Sequence, residues 1–88
     1  MTNTTNVRHF PLVEAEYEIC ENLRCTFLLG GSKLDVIHGY NYGTAIRNFV
    51  RNPNGLRSKL RKHYPELPDV EINNKQPGMT TIILNQGA

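Results

Sequence analysis

The sequence predicts an α+β domain of about three helices followed by a C-terminal β-hairpin. Three observations carry that expectation. Leu12, Ala15, Ile19, Leu23 and Phe27 recur at helical spacing. A strong turn signal, Asn52-Pro53-Asn54-Gly55, separates two further short stretches with helical apolar faces. Val70 and Ile72 then alternate with Glu71 and Asn73, and Gln76-Pro77-Gly78 turns the chain into the β-branched run Thr80 to Leu84. At 88 residues the chain has the size of one domain.

Residues 1–10 are mostly polar and read as a flexible N-terminal arm, with a single domain over 11–85 and a short tail over 86–88. Pro11 suits the first position of a helix, and the glutamates that crowd its N-terminal half suit the helix dipole. A rival signal exists, because Val13, Ala15, Tyr17 and Ile19 alternate with glutamates as in a strand. The helix is preferred because Glu, Ala and Leu favour it, and a hairpin over 12–29 stays open. Gly30-Gly31 stops the helix. Ser32-Lys33-Leu34-Asp35 resembles a capping box opening a short helix to Ile37 or His38, with a short strand over 32–34 as the alternative. Residues 40–43 read as a loop. Thr44 caps a helix to about Asn52, with Ala45, Ile46, Phe49 and Val50 inward. Leu56 to Tyr64 forms the next helix, with Leu56 and Leu60 inward, ended by Pro65 and Pro68.

Composition excludes several classes. No apolar run approaches the roughly 20 residues of a membrane span, and the polar start lacks the order of a signal peptide. A soluble cytoplasmic protein without membrane contact is expected. Two cysteines, Cys20 and Cys25, do not make a disulfide framework. Together with His38 and His63 they lack zinc-site spacing, so no metal is expected. No acid, base and nucleophile assemble in the sequence and no phosphate loop is visible. The expectation is therefore no enzyme, no catalytic residues and no cofactor.

The charge distribution points to a partner. Between Asp35 and Glu66 there is no acid, yet six of the ten Lys and Arg residues fall there: Arg47, Arg51, Arg57, Lys59, Arg61 and Lys62. Clustered positive charge indicates an anionic partner better than the net charge of +2 does. Arg57 and Arg61 sit on adjacent turns and suit contact with guanine edges, with Ser58 beside them on a base or a phosphate. Arg47, Arg51, Lys59 and Lys62 suit phosphates, and Lys75 at the hairpin tip suits the phosphates or a minor groove. Tyr40 and Tyr42 are read as core-packing loop residues in preference to base-stacking ones.

Leu28-Leu29-Gly30-Gly31-Ser32-Lys33-Leu34, then Leu56-Arg57-Ser58-Lys59-Leu60-Arg61-Lys62-His63-Tyr64-Pro65, then residues 69–84, together resemble a winged helix-turn-helix domain of the small phage or bacterial regulator type. The resemblance implies a recognition helix over 56–65 that places Arg57, Ser58, Arg61 and Lys62 on duplex DNA, and a β-hairpin wing. The expected function is a small DNA-binding regulator of transcription or recombination, with a homodimer open. Two other readings stay open: a protein-binding module, such as a phage-encoded inhibitor of a host nucleic-acid machine that docks on an acidic protein, and an RNA-binding protein.

Overall fold

The computed structural model describes residues 2–39, 44–76 and 78–85, with residues 2, 53 and 74–76 described by their backbone only. The chain runs β1 (Thr2–Asn6), α1 (Leu12–Leu28), β2 (Lys33–Ile37), α2 (Thr44–Arg51), one π-helical turn (Pro53–Arg57), α3 (Ser58–His63), β3 (Val70–Gln76) and β4 (Met79–Leu84). The four strands make one mixed sheet in the order β1-β2-β4-β3. β1 and β2 are parallel, joined by α1 as a crossover. β4 is antiparallel to both of its neighbours.

This corrects the winged-helix expectation. Residues 70–84 do not project as a wing, because β4 lies between β2 and β3 inside the sheet. Leu34, Val36 and His38 are buried and alternate with less buried residues, so the segment read as a capping box is strand β2. Thr2–Asn6, read as part of an arm, pairs with β2 from Thr2↔Lys33 to Asn6↔Ile37. Polar side chains hold this strand to α1. Asn3 Nδ2 donates to Thr26 Oγ1 at 2.8 Å, and Asn22 Nδ2 reaches Thr5 Oγ1 at 3.5 Å.

The helices cover one face of the sheet. Ala15, Ile19 and Leu23 of α1 pack with Val7, Leu34, Val36, Ile82 and Leu84 from the strand side, and Ile46, Val50, Leu56 and Leu60 extend this core. The helical spacing of 12–28 therefore prevails over its strand-like alternation. The π-helical turn is tight. Asn52 Oδ1 accepts from Asn54 N at 2.9 Å. Gly55 has no room for a side chain, because a Cβ there would press on the Phe49 carbonyl. Three polar links tie α1 to α3 and the turn after it: Lys59 Nζ to Glu16 Oε1 at 3.0 Å, the Tyr64 hydroxyl to Glu21 Oε2 at 2.9 Å, and Arg24 to Glu66 at 3.9 Å.

Candidate nucleic-acid interface

Parallel pairing puts the carboxyl ends of β1 and β2 side by side. Val7 N donates to Ile37 O at 3.0 Å, so Arg8 and His9 leave β1 where His38 and Gly39 leave β2. Gly39 has φ +82, a conformation that favours glycine, and a Cβ there would lie 3.4 Å from Arg8 Cδ. Antiparallel pairing brings Thr80, at the start of β4, to the same end. Arg51, in the last turn of α2, reaches down onto it.

These residues form a hydrogen-bonded chain with one consistent set of protons. Arg51 Nε donates to Thr80 Oγ1 at 3.1 Å. His38 Nε2 lies 2.9 Å from the same hydroxyl, and His38 Nδ1 lies 3.1 Å from Gly39 O. A carbonyl can only accept, so Nδ1 carries the proton. In the neutral ring Nε2 then accepts from the Thr80 hydroxyl. Electrostatics agree. Burial pushes the His38 pKa below its ordinary value, and the Arg51 and Arg47 charges push the same way against the raising effect of the Gly39 carbonyl. Burial also lowers the Arg51 pKa, and the neighbouring Arg47 charge adds to that. Both arginines are half-buried at one end of the sheet, and Arg47 has no acidic partner among the described residues. Arg8 adds a third positive charge at this end, and His9 is an exposed imidazole on the same turn.

The basic residues read from the sequence do not share one face. Arg47 and Arg51 belong to the end just described. Arg57 and Arg61 line a groove beside β3. Lys59 is paired with Glu16. Ser58 and Lys62 border another cleft with Phe49 and His63. The Lys75 side chain, Tyr40 and Tyr42 lie outside the described residues. Sequence reasoning missed Arg8 and His9, and it weighed His38 only as a metal ligand or as part of a Cys-His catalytic pair, setting both aside. A His-Gly pair closing an alternating stretch was the available signal for His38. Nothing local marked Arg8 or His9, because their place depends on the pairing of β1 with β2. Among the described residues no three His, Cys, Asp or Glu side chains gather in one place.

A two-layer α+β domain with a basic, histidine-bearing sheet end is the class these features define. The Smr domain of Thermus thermophilus MutS2 is similar in structure: its crystal structure superposes with a TM-score of 0.65, covering 94% of this chain and 98% of that chain at 21% sequence identity. Comparison with protein-family models finds no match, and neither does comparison with curated proteins. The likeness shows the fold to be that of an Smr domain. It overturns the winged helix-turn-helix resemblance, and the transcription-regulator and phage readings fall with it. It also overturns the expectation of a non-enzyme. That expectation rested on the winged-helix reading and on the lack of assembled polar groups, and the fold now joins His38, Thr80 and Arg51. No helix of the described residues is long and apolar enough to cross a membrane.

Proposed function

We propose that this chain is a nucleic-acid-binding domain of nuclease-like type, which takes a phosphodiester backbone at the shared end of β1, β2 and β4. The carrying observation is that the hydroxyl of Thr80 joins buried His38 to Arg51, with the half-buried Arg47 one helical turn away on α2. Like charges held together in a partly desolvated place gain most from an anion, and a phosphate suits the forked donors of arginine. The likeness in fold to the Smr domain of MutS2 supports the reading, as does the acid-free stretch between Asp35 and Glu66.

His38 serves as a positioning residue. Both ring nitrogens are engaged and the side chain is fully buried, so its task is to hold Thr80, and through it Arg51, toward the ligand. His9 is exposed and is the imidazole that solvent and ligand can reach. In hydrolysis, water forms a new P–O bond and gives up a proton, the bond to the leaving oxygen breaks, and that oxygen takes a proton. An accessible imidazole suits that transfer, while Arg47 and Arg51 stabilise the charge on the phosphoryl oxygens.

The test is a salt series of binding to duplex DNA, single-stranded DNA and RNA, followed by cleavage assays of the same substrates. Binding should weaken steeply with salt, and Arg47→Gln should flatten the slope by about one unit. His9→Ala should reduce cleavage and leave binding in place. A weak, salt-independent response to all three nucleic acids overturns the proposal.

A further inference from the structure

Arg57 is a basic residue that the sheet-end site does not use. It is half-buried, and its Nε atom is out of contact with solvent and has no hydrogen-bond partner. Three adjoining concavities converge on it, all against edge strand β3. The most enclosed of these has a volume of about 220 Å³. Arg57 and Arg61 supply its positive side, and Tyr64, Pro65, Leu67 and Pro68 supply an apolar wall. Asp69 also borders it, but among the described residues neither arginine is in an ion pair.

The wall is rigid. The Tyr64 hydroxyl donates to Glu21 Oε2 at 2.9 Å, and its pKa is pushed up to about 12 by burial and by that bond, so the phenol stays protonated. The ring packs against the core. A donor-rich floor beside a fixed aromatic and proline wall matches a phosphate attached to a flat base. It matches an acidic peptide less well, because a carboxylate side chain brings nothing to stack.

We propose that the groove between α3 and β3 is a nucleotide subsite for a single strand, in which Arg57 and Arg61 hold a phosphate and the Tyr64–Pro68 wall receives its base. The proposal rests on the nucleic-acid reading above and extends it. Arg47, Arg51, Arg57 and Arg61 follow one another along α2, the π-helical turn and α3. A strand engaged at the sheet end can thus continue beside β3, with this groove taking a nucleotide away from the reacting phosphate. Its small enclosed volume selects an unpaired base over a base pair.

The experiment is a titration of the isotope-labelled protein, followed by amide shifts in NMR, with a short single-stranded oligodeoxynucleotide and with a nucleoside monophosphate. The oligonucleotide should perturb both residues 44–51 and residues 57–67. Arg61→Gln, at an exposed position, should weaken oligonucleotide binding by about tenfold or more, the loss expected for a charge-assisted hydrogen bond. Arg57→Gln should do the same, with its thermal melt recorded because Arg57 is half-buried. Shifts confined to residues 8–9 and 38–51, with Arg61→Gln binding like the parent, overturn the groove and leave the sheet-end site standing. Monophosphate binding in the groove as tight as that of the oligonucleotide overturns the strand subsite in favour of a free nucleotide. An oligonucleotide that fails to bind the parent protein removes both proposals.

Discussion

Replacing Thr80 by valine tests the hydrogen-bonded chain at the sheet end. Thr80 is fully buried, and valine keeps its shape, so no cavity opens. The hydroxyl alone is lost, with its 2.9 Å contact to His38 Nε2 and its 3.1 Å contact from Arg51 Nε. The main cost falls on the imidazole. His38 is itself fully buried, so Nε2 is left as a desolvated acceptor without a donor. Such a group costs about 1–3 kcal/mol. In a domain of this size, 1 kcal/mol shifts the melting temperature by about 4–8 °C, so Thr80→Val should melt roughly 5–20 °C below the parent. Circular dichroism melts at neutral pH measure this. Thr80→Ser keeps the hydroxyl and should recover much of the loss. Thr81→Val is the comparison on the opposite face. Thr81 donates to Asp35 Oδ1 at 2.6 Å, but both residues are partly exposed, so water replaces the lost bond. Thr80→Val should also weaken oligonucleotide binding, because Arg51 loses a fixed support, and Thr81→Val should not. If Thr80→Val melts within about 2 °C of the parent, the buried acceptor was not relying on that hydroxyl and the proton assignment fails.

Three further outcomes follow from features described above. Gly55→Ala should destabilise strongly, by about 1–3 kcal/mol or more, since the new Cβ meets Phe49 backbone and not a movable side chain; a chemical denaturation curve reads this. Burial pushes the Cys20 thiol up to about 11, while Cys25 is exposed, so a thiol reagent should label one cysteine in the native protein and two in denaturant. The His38 pKa is lowered from about 6.5, so folding favours its neutral form. That contribution is fully present above about 6.5 and is lost as pH falls through the lower folded value. Melts from neutral to mildly acid pH should show this decline, and His38→Gln should lack that part of it.

The core was more legible in the sequence than the topology. Ile46, Val50, Leu56 and Leu60 are buried as their helical spacing required and Phe49 packs against them half-buried, but Ala45, also expected inward, is exposed. The strand-like alternation at 13–19 was a decoy, because Ala15 and Ile19 also satisfy helical spacing and the long helix buries both. β1 was illegible for a physical reason. Thr2–Asn6 has no apolar alternation, and its inward residues Asn3 and Thr5 meet α1 through side-chain hydrogen bonds instead. β2 was obscured because Ser32 and Asp35 imitate a helix cap, while the third inward residue of its stripe is a histidine. The site suffered most from these two strands. Without β1 and β2 side by side, Arg8, His9 and His38 have no common location, and the basic residues of α2 and α3 read as one face.

The position of β4 bears on how the chain is made. It follows β3 in sequence, yet it lies between β2 and β3. The Thr81–Asp35 hydrogen bond already spans 46 residues of chain, and contacts of such separation form slowly because the intervening loop must close first. On the ribosome, β1, α1 and β2 can associate early, but β2 keeps one edge unpaired until residues 79–84 emerge. An exposed strand edge recruits other strands. The nascent domain is therefore most prone to aggregation between the emergence of β2 and that of β4, and a premature stop before residue 79 removes the strand that joins the two halves of the sheet.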